Sequence, residues 1–226
     1  MSIQQGSTSS TNGPGAFQPG CAFCEKEDLA TYVLKETPLF RIVADHAPLV
    51  GGHLLIIPRN HYTCYGDVPE SYDTELHILK EEIKRFFVQY YRPIVYWEHG
   101  IFHQSVFHAH LHCFPFGDIR YNPEQHLHEL LIQNQGEIRA WHMVHGHYFY
   151  LEDAQNAALF APKSDVYTRI VQEILWSGVV AQGTVPRWRS AQQRQKEGEP
   201  LIAALRTRWQ QFQQQEEKYV DTTSER

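Results

Sequence analysis

Three histidines occupy every second position of the segment 107–114, Phe-His-Ala-His-Leu-His-Cys-Phe. Alternate side chains of a β-strand point to opposite faces, so His108, His110 and His112 would share one face. The residues between them are apolar and would pack on the other face. A helix would instead spread the three imidazoles around its circumference. The spacing therefore predicts a strand that presents three imidazoles on one side.

The chain around this segment predicts an α+β fold. Short apolar runs bounded by glycine and proline indicate strands, and apolar residues three or four positions apart indicate an amphipathic helix. In chain order, the predicted elements are a strand at 40–44, a buried strand at 53–57, a long helix from 69 to 91, a strand at 94–98 and the triple-histidine strand. This order favours a mainly antiparallel sheet with one long helix.

The two ends of the chain carry weaker patterns. Residues 1–19 are rich in Ser, Thr, Gln, Gly and Pro, which is typical of a disordered tail. Residues 119–226 predict a mostly helical C-terminal extension that packs on the core or on a dimer interface. Its predicted elements are a helix from Asn122 that ends at Gly136, a hairpin of strands 137–141 and 147–151, a helix 165–176 that ends at Gly178, and a helix 200–219.

Composition excludes several classes of protein. The 226 residues carry a formal net charge of -6 and no basic tract, so a nucleic acid is not the expected partner. No apolar run has the length of a membrane span, and the N-terminus lacks the pattern of a secretory leader. Four cysteines are too few for a disulfide scaffold, so we expect a reducing, cytoplasmic location.

Cys21 and Cys24 form a CxxC pair directly after the polar tail. Such a pair can bind a metal, act as a redox dithiol or have no function. A redox pair normally follows a strand and opens a helix, whereas a polar tail precedes this one. Two thiolates supply half of a tetrahedral zinc site, which leaves two further ligands to be found.

Four motifs follow one another in a fixed order. Gly52-His53 opens the buried strand, Pro58-x-x-His61 closes it, and Gln104-Ser105 precedes His108-Ala109-His110-Leu111-His112-Cys113-Phe114. This combination resembles the histidine triad family of nucleotide hydrolases and transferases. The resemblance spans roughly residues 21–116. It implies a histidine-triad-like fold for residues 20–118 and a homodimer.

The resemblance implies a reaction at the α-phosphorus of a nucleoside phosphate, a phosphoramidate or a dinucleoside polyphosphate. His110 would be the nucleophile and would form a nucleotidyl-histidine that water then hydrolyses. His112 would donate to the phosphate oxygens, and Ser105 would contact phosphate and assist the leaving group. The uridylyltransferase-like branch of the family has Gln at the position of His112, so this chain resembles the hydrolases.

Further residues match positions that bind substrate or metal in the family. Asp45 would accept hydrogen bonds from the ribose hydroxyls, His53 would support the site from behind, and Gln104 would contact substrate. A structural zinc, as in some bacterial members, would have four ligands. These ligands would be Cys21, Cys24, His61 and His108.

One departure and several alternatives stay open at this point. Trp97 stands where hydrolases of the family carry an Asn or Gln that contacts phosphate, which should narrow the leaving-group side. A nucleotide-binding or protein-interaction module with little turnover is the main alternative. An enzyme for adenylylated nucleic acid ends is disfavoured by the acidic charge and by the lack of cysteines after Cys113. The segment 186–189, Pro-Arg-Trp-Arg, could reach a phosphate or form a surface loop.

Overall fold

A computed structural model describes residues 15–25, 29–182 and 190–224, with side chains described as far as Lys218. Residues 1–14 of the predicted tail and the segment 186–189 lie outside the described residues. The strands are β1 (Val33–Glu36), β2 (Phe40–Ala44), β3 (Leu54–Pro58), β4 (Val95–Glu98), β5 (Leu111–Phe114), β6 (Leu130–Leu131), β7 (Phe149–Glu152) and β8 (Ala157–Phe160). The α-helices are α1 (Asp73–Tyr90), α2 (Gln135–His145), α3 (Ser164–Ile170), α4 (Ser177–Ala181) and α5 (Ala191–Ser224), and a π-helix (Val171–Trp176) joins α3 to α4.

The described strands form one eight-stranded sheet in the order β1-β2-β3-β5-β4-β7-β8-β6. Every ladder between named strands is antiparallel, which confirms the predicted α+β class with a mainly antiparallel sheet. The extension supplies β6, β7 and β8, so it combines its helices with strands of the same sheet. None of the described helices is both long enough and apolar enough to cross a membrane.

The two faces of the sheet carry different structures. On one face, α1 and α5 cover an apolar core that includes Leu79, Ile83 and Phe86 of α1 and Trp209 and Phe212 of α5. Alternation sends the next residue of each strand to the opposite face. There His112 of β5 lies beside Leu55 of β3 on one side and Trp97 of β4 on the other. This second face carries the site.

The triple-histidine strand is shorter than the alternation predicts. β5 begins at Leu111, and its ladder with β3 covers Leu111 to Cys113. The N–H of Ala109 donates instead to the Tyr62 carbonyl at 2.6 Å. Pro58, at the end of β3, has no N–H to offer to a longer ladder. His108 and His110 therefore lie on an extended segment before the strand.

The extension differs from its prediction around residue 136. The predicted helix from Asn122 to Gly136 is wrong: a single 3-10 turn, Pro123–Gln125, ends at His126 in the left-handed region. The predicted strand 137–141 is also wrong, because α2 occupies this stretch. The Asn134 side chain accepts from the Glu137 N–H and so begins a helix where we expected one to stop.

Two later helices are longer than predicted. The helix predicted to end at Gly178 continues to Ala181, and Gly178 allows close packing, since a Cβ there would lie 2.3 Å from the Phe116 ring. The last helix begins at Ala191 rather than at Pro200, which lies inside it. These nine additional residues bring the start of α5 to the second face of the sheet.

Candidate active site

A cavity of about 340 Å³ opens on the second face of the sheet, and we call it the histidine cavity. It brings Asp45 and His53 together with Ser105, His110 and His112, which lie much later in the sequence. Residues from 45 to 114 form one side of it: Asp45, His46, Ala47, Leu49, His53, Trp97, His99, Ser105, His110, His112 and Phe114. The size suits a small molecule such as a nucleotide.

The imidazole of His110 is held in one tautomer. Its Nδ1 lies 2.7 Å from the carbonyl oxygen of His108, and because a carbonyl only accepts, Nδ1 must carry the proton. Burial lowers the pKa of His110, although the hydrogen bond to His108 and the charge of Asp45 oppose this shift. The neutral ring therefore keeps a lone pair on Nε2. A neutral imidazole with a free lone pair is a competent nucleophile.

His112 has the opposite tautomer, and a relay of hydrogen bonds sets it. The Leu49 N–H donates to Nδ1 of His53 at 3.3 Å, so His53 carries its proton on Nε2. That Nε2 lies 3.0 Å from Nδ1 of His112, which must therefore accept. The proton of His112 is left on Nε2. Burial lowers the pKa of His53 to about 4 and that of His112 well below its usual range, so both rings are neutral.

Asp45 and Ser105 supply the oxygen atoms of the cavity edge. Oδ1 of Asp45 accepts from the Ala47 N–H at 2.7 Å, and Oδ2 lies 3.6 Å from Nε2 of His53. Ser105 is exposed in the loop before β5. The two oxygen-bearing groups thus border the same cavity as the two imidazoles.

Gln104 does not line the histidine cavity, in contrast to its predicted substrate contact. Its Nε2 donates to the carbonyls of Thr63 at 3.1 Å and His108 at 2.9 Å, and its Oε1 accepts from the Ile101 N–H at 3.0 Å. The side-chain amide is buried, and both its nitrogen and its oxygen form hydrogen bonds with backbone groups. Gln104 therefore braces the same His108 carbonyl that fixes the tautomer of His110.

The four predicted zinc ligands converge beside this segment. The ligand atoms of Cys21, Cys24, His61 and His108 all lie within 4.8 Å of one another. Sγ of Cys21 and Sγ of Cys24 lie 3.4 Å and 3.5 Å from Nδ1 of His108, and Sγ of Cys24 lies 3.4 Å from Nδ1 of His61. With zinc–sulfur and zinc–nitrogen bonds of usual length, a tetrahedral site has sulfur–nitrogen edges of about 3.6 Å. The donor set fits zinc.

The imidazole of His108 is oriented for such a metal. Its Nε2 lies 2.9 Å from the Pro58 carbonyl oxygen and must donate to it, which leaves the lone pair on Nδ1 toward the two thiols. Burial lowers the pKa of His108 to about 4, so the ring is neutral. The three histidines of the motif consequently differ in which nitrogen carries the proton and in what that nitrogen contacts.

Another group of metal-binding residue types lies where the extension meets the core. Cys64, Asp67 and His142 lie within 4.8 Å of one another. However, Sγ of Cys64 is 3.8 Å from both ring nitrogens of His142, so it lies along neither lone pair. Those nitrogens contact the Gly146 carbonyl at 2.8 Å and Asp67 at 3.0 Å. The cluster ties α2 to the turn at residues 65–67, and its geometry does not suit a metal.

The extension supplies part of the cavity wall, and no sequence pattern predicts the residues that form it. Tyr167 of α3 and Val171 and Leu175 of the π-helix line the histidine cavity, as do Ala191 and Arg194 of α5. The Tyr167 ring lies 5.8 Å from that of His99. No motif marks these residues. The one available signal was that a π-helical stretch often accompanies a functional site, and it is visible only in the structure.

A second cavity of about 340 Å³, which we call the apolar cavity, adjoins the first. Its walls are mostly apolar, and His46 lines both cavities. The residues around it are Ala22, Phe23, Leu29, Tyr32, Val43, Ala44, His46, Leu55, Val106 and Gln195. The Phe23 ring packs edge-on against His110, with ring centroids 5.3 Å apart. A flat, largely apolar group could enter here while a polar group remains near His110.

Comparison with known proteins identifies this arrangement. The HIT domain family model matches residues 26–118. Adenosine 5'-monophosphoramidase HNT1 of Saccharomyces cerevisiae is 31% identical over 115 residues, which cover 49% of this chain and 72% of that protein.

Solved structures also match part of the chain. A histidine triad nucleotide-binding protein from Candida albicans is 23% identical, covers 46% of this chain and 88% of that one, and has a TM-score of 0.38. A zinc-bound histidine triad family protein from Mycobacterium smegmatis is 24% identical, covers 54% and 91%, and has a TM-score of 0.37. On the family model and the yeast relative, the chain belongs to the histidine triad family.

Proposed function

We propose that this protein is a nucleotide hydrolase that attacks the α-phosphorus of its substrate with Nε2 of His110. The observation that carries the proposal is the 2.7 Å hydrogen bond from Nδ1 of His110 to the His108 carbonyl. It commits the proton to Nδ1 and the lone pair to Nε2, inside a cavity of suitable size. The relationship to the yeast monophosphoramidase supports a phosphoramidate or related nucleotide as substrate.

In the first step, the Nε2 lone pair forms a bond to the α-phosphorus while the bond from phosphorus to the leaving oxygen or nitrogen breaks. The leaving group takes the electron pair of that bond together with a proton, and the hydroxyl of Ser105 is the proposed route for this proton. The Nε2–H of His112 donates to a nonbridging oxygen, where charge develops. The product is a nucleotidyl-His110 and a free amine or phosphate.

In the second step, water attacks the same phosphorus and the bond to Nε2 of His110 breaks. The electron pair returns to the imidazole, the water passes a proton to solvent, and a nucleoside monophosphate is released. Imidazole serves both steps because it is a good nucleophile and also a good leaving group. The hydrogen bonds of Nδ1 and of Gln104 to the His108 carbonyl hold the ring in place throughout.

Substrate binding is proposed to use both cavities. The base would enter the apolar cavity, and the ribose hydroxyls would donate to the carboxylate of Asp45. His53 acts through His112 rather than on substrate, because its Nε2 is bonded to that ring. Zinc bound to Cys21, Cys24, His61 and His108 would have a structural role, since four protein ligands leave no open position.

The direct test is the release of AMP from adenosine phosphoramidate by the purified protein. We expect hydrolysis by the wild type and a loss of about 10³-fold or more in His110→Ala, because the covalent step disappears. His77→Ala, at an exposed position of α1, is the control and should keep the wild-type rate. Mass spectrometry of acid-quenched protein should detect a nucleotidyl adduct on the wild type alone. Equal rates for His110→Ala and the wild type would overturn the mechanism.

The alternative is a nucleotide-binding or protein-interaction module with little turnover. The same assay separates the two, because such a module would bind AMP with no AMP release from the phosphoramidate. The tautomers of His110 and His112 favour catalysis, since simple binding requires no lone pair directed at the substrate.

We further propose residues 20–118 as the catalytic unit and residues 119–226 as an extension that packs on it. A homodimer and a cytoplasmic location remain predictions. Light scattering coupled to size exclusion would test the first, and fluorescence microscopy of a tagged chain would test the second. A nucleic acid partner is not expected, given the net charge of -6.

A further inference from the structure

The start of α5 faces the histidine cavity. Ala191 and Arg194 both line it and are three residues apart, so they lie on the same face of the helix. Nε of Arg194 donates to the Ala47 carbonyl at 3.0 Å, and the Ala47 N–H donates to Oδ1 of Asp45 at 2.7 Å. The guanidinium is therefore hydrogen-bonded to the turn that also positions Asp45, whose carboxylate is proposed to hold the ribose.

The position of Arg194 is fixed by the packing of the whole helix. One turn after Arg194, Gly198 is buried against Pro48, and a Cβ at Gly198 would lie 2.5 Å from Cδ of that proline. Further along, Leu205 and Trp209 are buried in the core that α1 covers. The helix thus lies in contact with the loop between β2 and β3, and it cannot move away from the cavity without exposing this apolar surface.

The charges around the cavity indicate why the position of Arg194 matters for the binding of an anion. Three of the imidazoles that line the interior are neutral because burial lowers the pKa of His53, His99 and His112. Asp45 contributes a negative charge that opposes binding of an anion. Among the described residues that line the cavity, Arg194 is the one arginine, and there is no lysine. A guanidinium keeps its charge at all working pH values and donates to phosphate oxygens with good geometry.

We infer that Arg194 is a substrate-binding residue that holds the phosphate of the nucleotide, so that the C-terminal extension completes the active site. The inference rests on the proposed function, because it assumes that the phosphate lies beside His110. It also gives the extension a role in specificity. Ligands with a phosphate should gain affinity from Arg194, and the nucleoside alone should not.

The test compares adenosine, AMP and ADP by isothermal titration calorimetry with His110→Ala and with the double variant His110→Ala/Arg194→Gln. We expect the double variant to lose about 10- to 100-fold in affinity for AMP and ADP, the range of a hydrogen bond to a charged group. Adenosine should bind the two proteins within about twofold, which also shows that the pocket is intact. Arg194→Lys in the same background should recover part of the loss.

Lys196→Gln is the matched control, because it removes one positive charge from an exposed position of the same helix. It should leave AMP affinity within about twofold at 0.15 M salt, where exposed charges are screened. An equal loss for adenosine and AMP, or no loss for AMP, would overturn the inference. Nucleotide binding without any AMP release by the wild type would contradict the proposed hydrolase alone. The absence of nucleotide binding to His110→Ala would overturn both.

Discussion

The two halves of the chain supply different chemistry to one cavity. The half that matches the HIT domain supplies His53, His110 and His112, together with a serine and a carboxylate. The extension supplies a guanidinium, a phenol and aliphatic side chains. The first group belongs to recognisable sequence motifs, whereas the second consists of single residues on three helical segments.

This difference shows how proteins with the same reacting groups can act on different substrates. The groups that would act on the phosphorus depend on fixed backbone contacts, such as the His108 carbonyl that orients His110. The groups from the extension only need to be held at the cavity wall. The packing of α5 on α1 holds those of α5, and the packing of α3 and the π-helix on the second face of the sheet holds the others. Variation in the extension could therefore change the substrate without changing the chemistry.

The largest expected effect concerns the zinc site of the first half. Cys24→Ala removes a buried thiol that lies within 3.5 Å of both His61 and His108. We expect the zinc content to fall from about one ion per chain to below about 0.1, with a clear drop in Tm, because metal binding is coupled to folding. Elemental analysis of protein purified without added metal measures this.

The matched control for zinc is Cys64→Ala, which removes another buried thiol that lies outside the four-ligand cluster. It should keep its zinc. If the wild type contained no zinc, or if both variants retained it, the proposed ligand set would be wrong.

The docking of the extension should depend on Trp209. This side chain is 2% exposed and packs edge-on against Phe86 of α1, with ring centroids 4.9 Å apart. Trp209→Ala should lower the free energy of unfolding by about 3–5 kcal/mol, as is typical for a large buried aromatic residue. Urea denaturation measures the change. Met143→Ala, at an 83% exposed site of α2, should have almost no effect.

A loss of stability in Trp209→Ala together with weaker binding of AMP would support the dependence of the cavity on α5. Unchanged stability would show that α5 does not dock on α1 as described.

The proposed role of Ser105 predicts a smaller effect that depends on the leaving group. Ser105→Ala should lower kcat/KM for adenosine phosphoramidate by about 10²-fold, the lower end for loss of a proton donor. A substrate with a good leaving group, such as a nitrophenyl ester of AMP, should lose much less. Steady-state kinetics with both substrates measures the ratio. An equal loss for the two would assign Ser105 to binding rather than to protonation.

The smallest effect concerns the contact between the halves at Glu98. Its carboxyl group accepts from the Tyr65 N–H at 2.7 Å and from the Tyr148 hydroxyl at 2.9 Å. Burial raises the pKa of Glu98 from 4.5 to about 8, although both hydrogen bonds oppose this shift. The folded protein therefore retains a proton that the unfolded chain has lost, so this group favours folding below pH 4.5 and loses that contribution as the pH rises toward 8.

Glu98→Gln removes this titration and keeps a neutral amide at the same place. We expect the free energy of unfolding of the wild type to fall more steeply than that of the variant between about pH 5 and 8. This range lies between the ordinary and the raised pKa of Glu98. Urea denaturation at several pH values measures both slopes. Parallel curves would show that Glu98 does not titrate in this range.

The motif half was predictable because its signals are local. The alternation of His108, His110 and His112, the buried run before Pro58 and the period of α1 each fit in a short window of sequence. The predicted zinc ligands and the residues Asp45, His53 and Ser105 are brought together as the order of the motifs implies. The roles assigned to them remain proposals until the variants are measured.

What only the tertiary structure decided falls into two kinds. The first is the proton position on each imidazole, which depends on backbone partners such as the carbonyls of Pro58 and His108 and the N–H of Leu49. The same kind includes the environment of Gln104. Its neighbour Ser105 lines the cavity, whereas the Gln104 amide donates hydrogen bonds to backbone carbonyls. Residue type and spacing do not reveal these contacts. Some of them join segments far apart in the chain, as Pro58 and His108 do, and the others depend on the local backbone conformation.

The second kind is the set of residues with which the extension lines the histidine cavity. Arg194 looks like any exposed helical arginine in the sequence, and it lies at the cavity because α5 begins at Ala191 and packs across Pro48. The sequence alone determined the triad and the likeness to its family. The packing of distant helices determined which charge and which aromatic ring line the histidine cavity, since long-range contacts leave no periodic pattern in the chain.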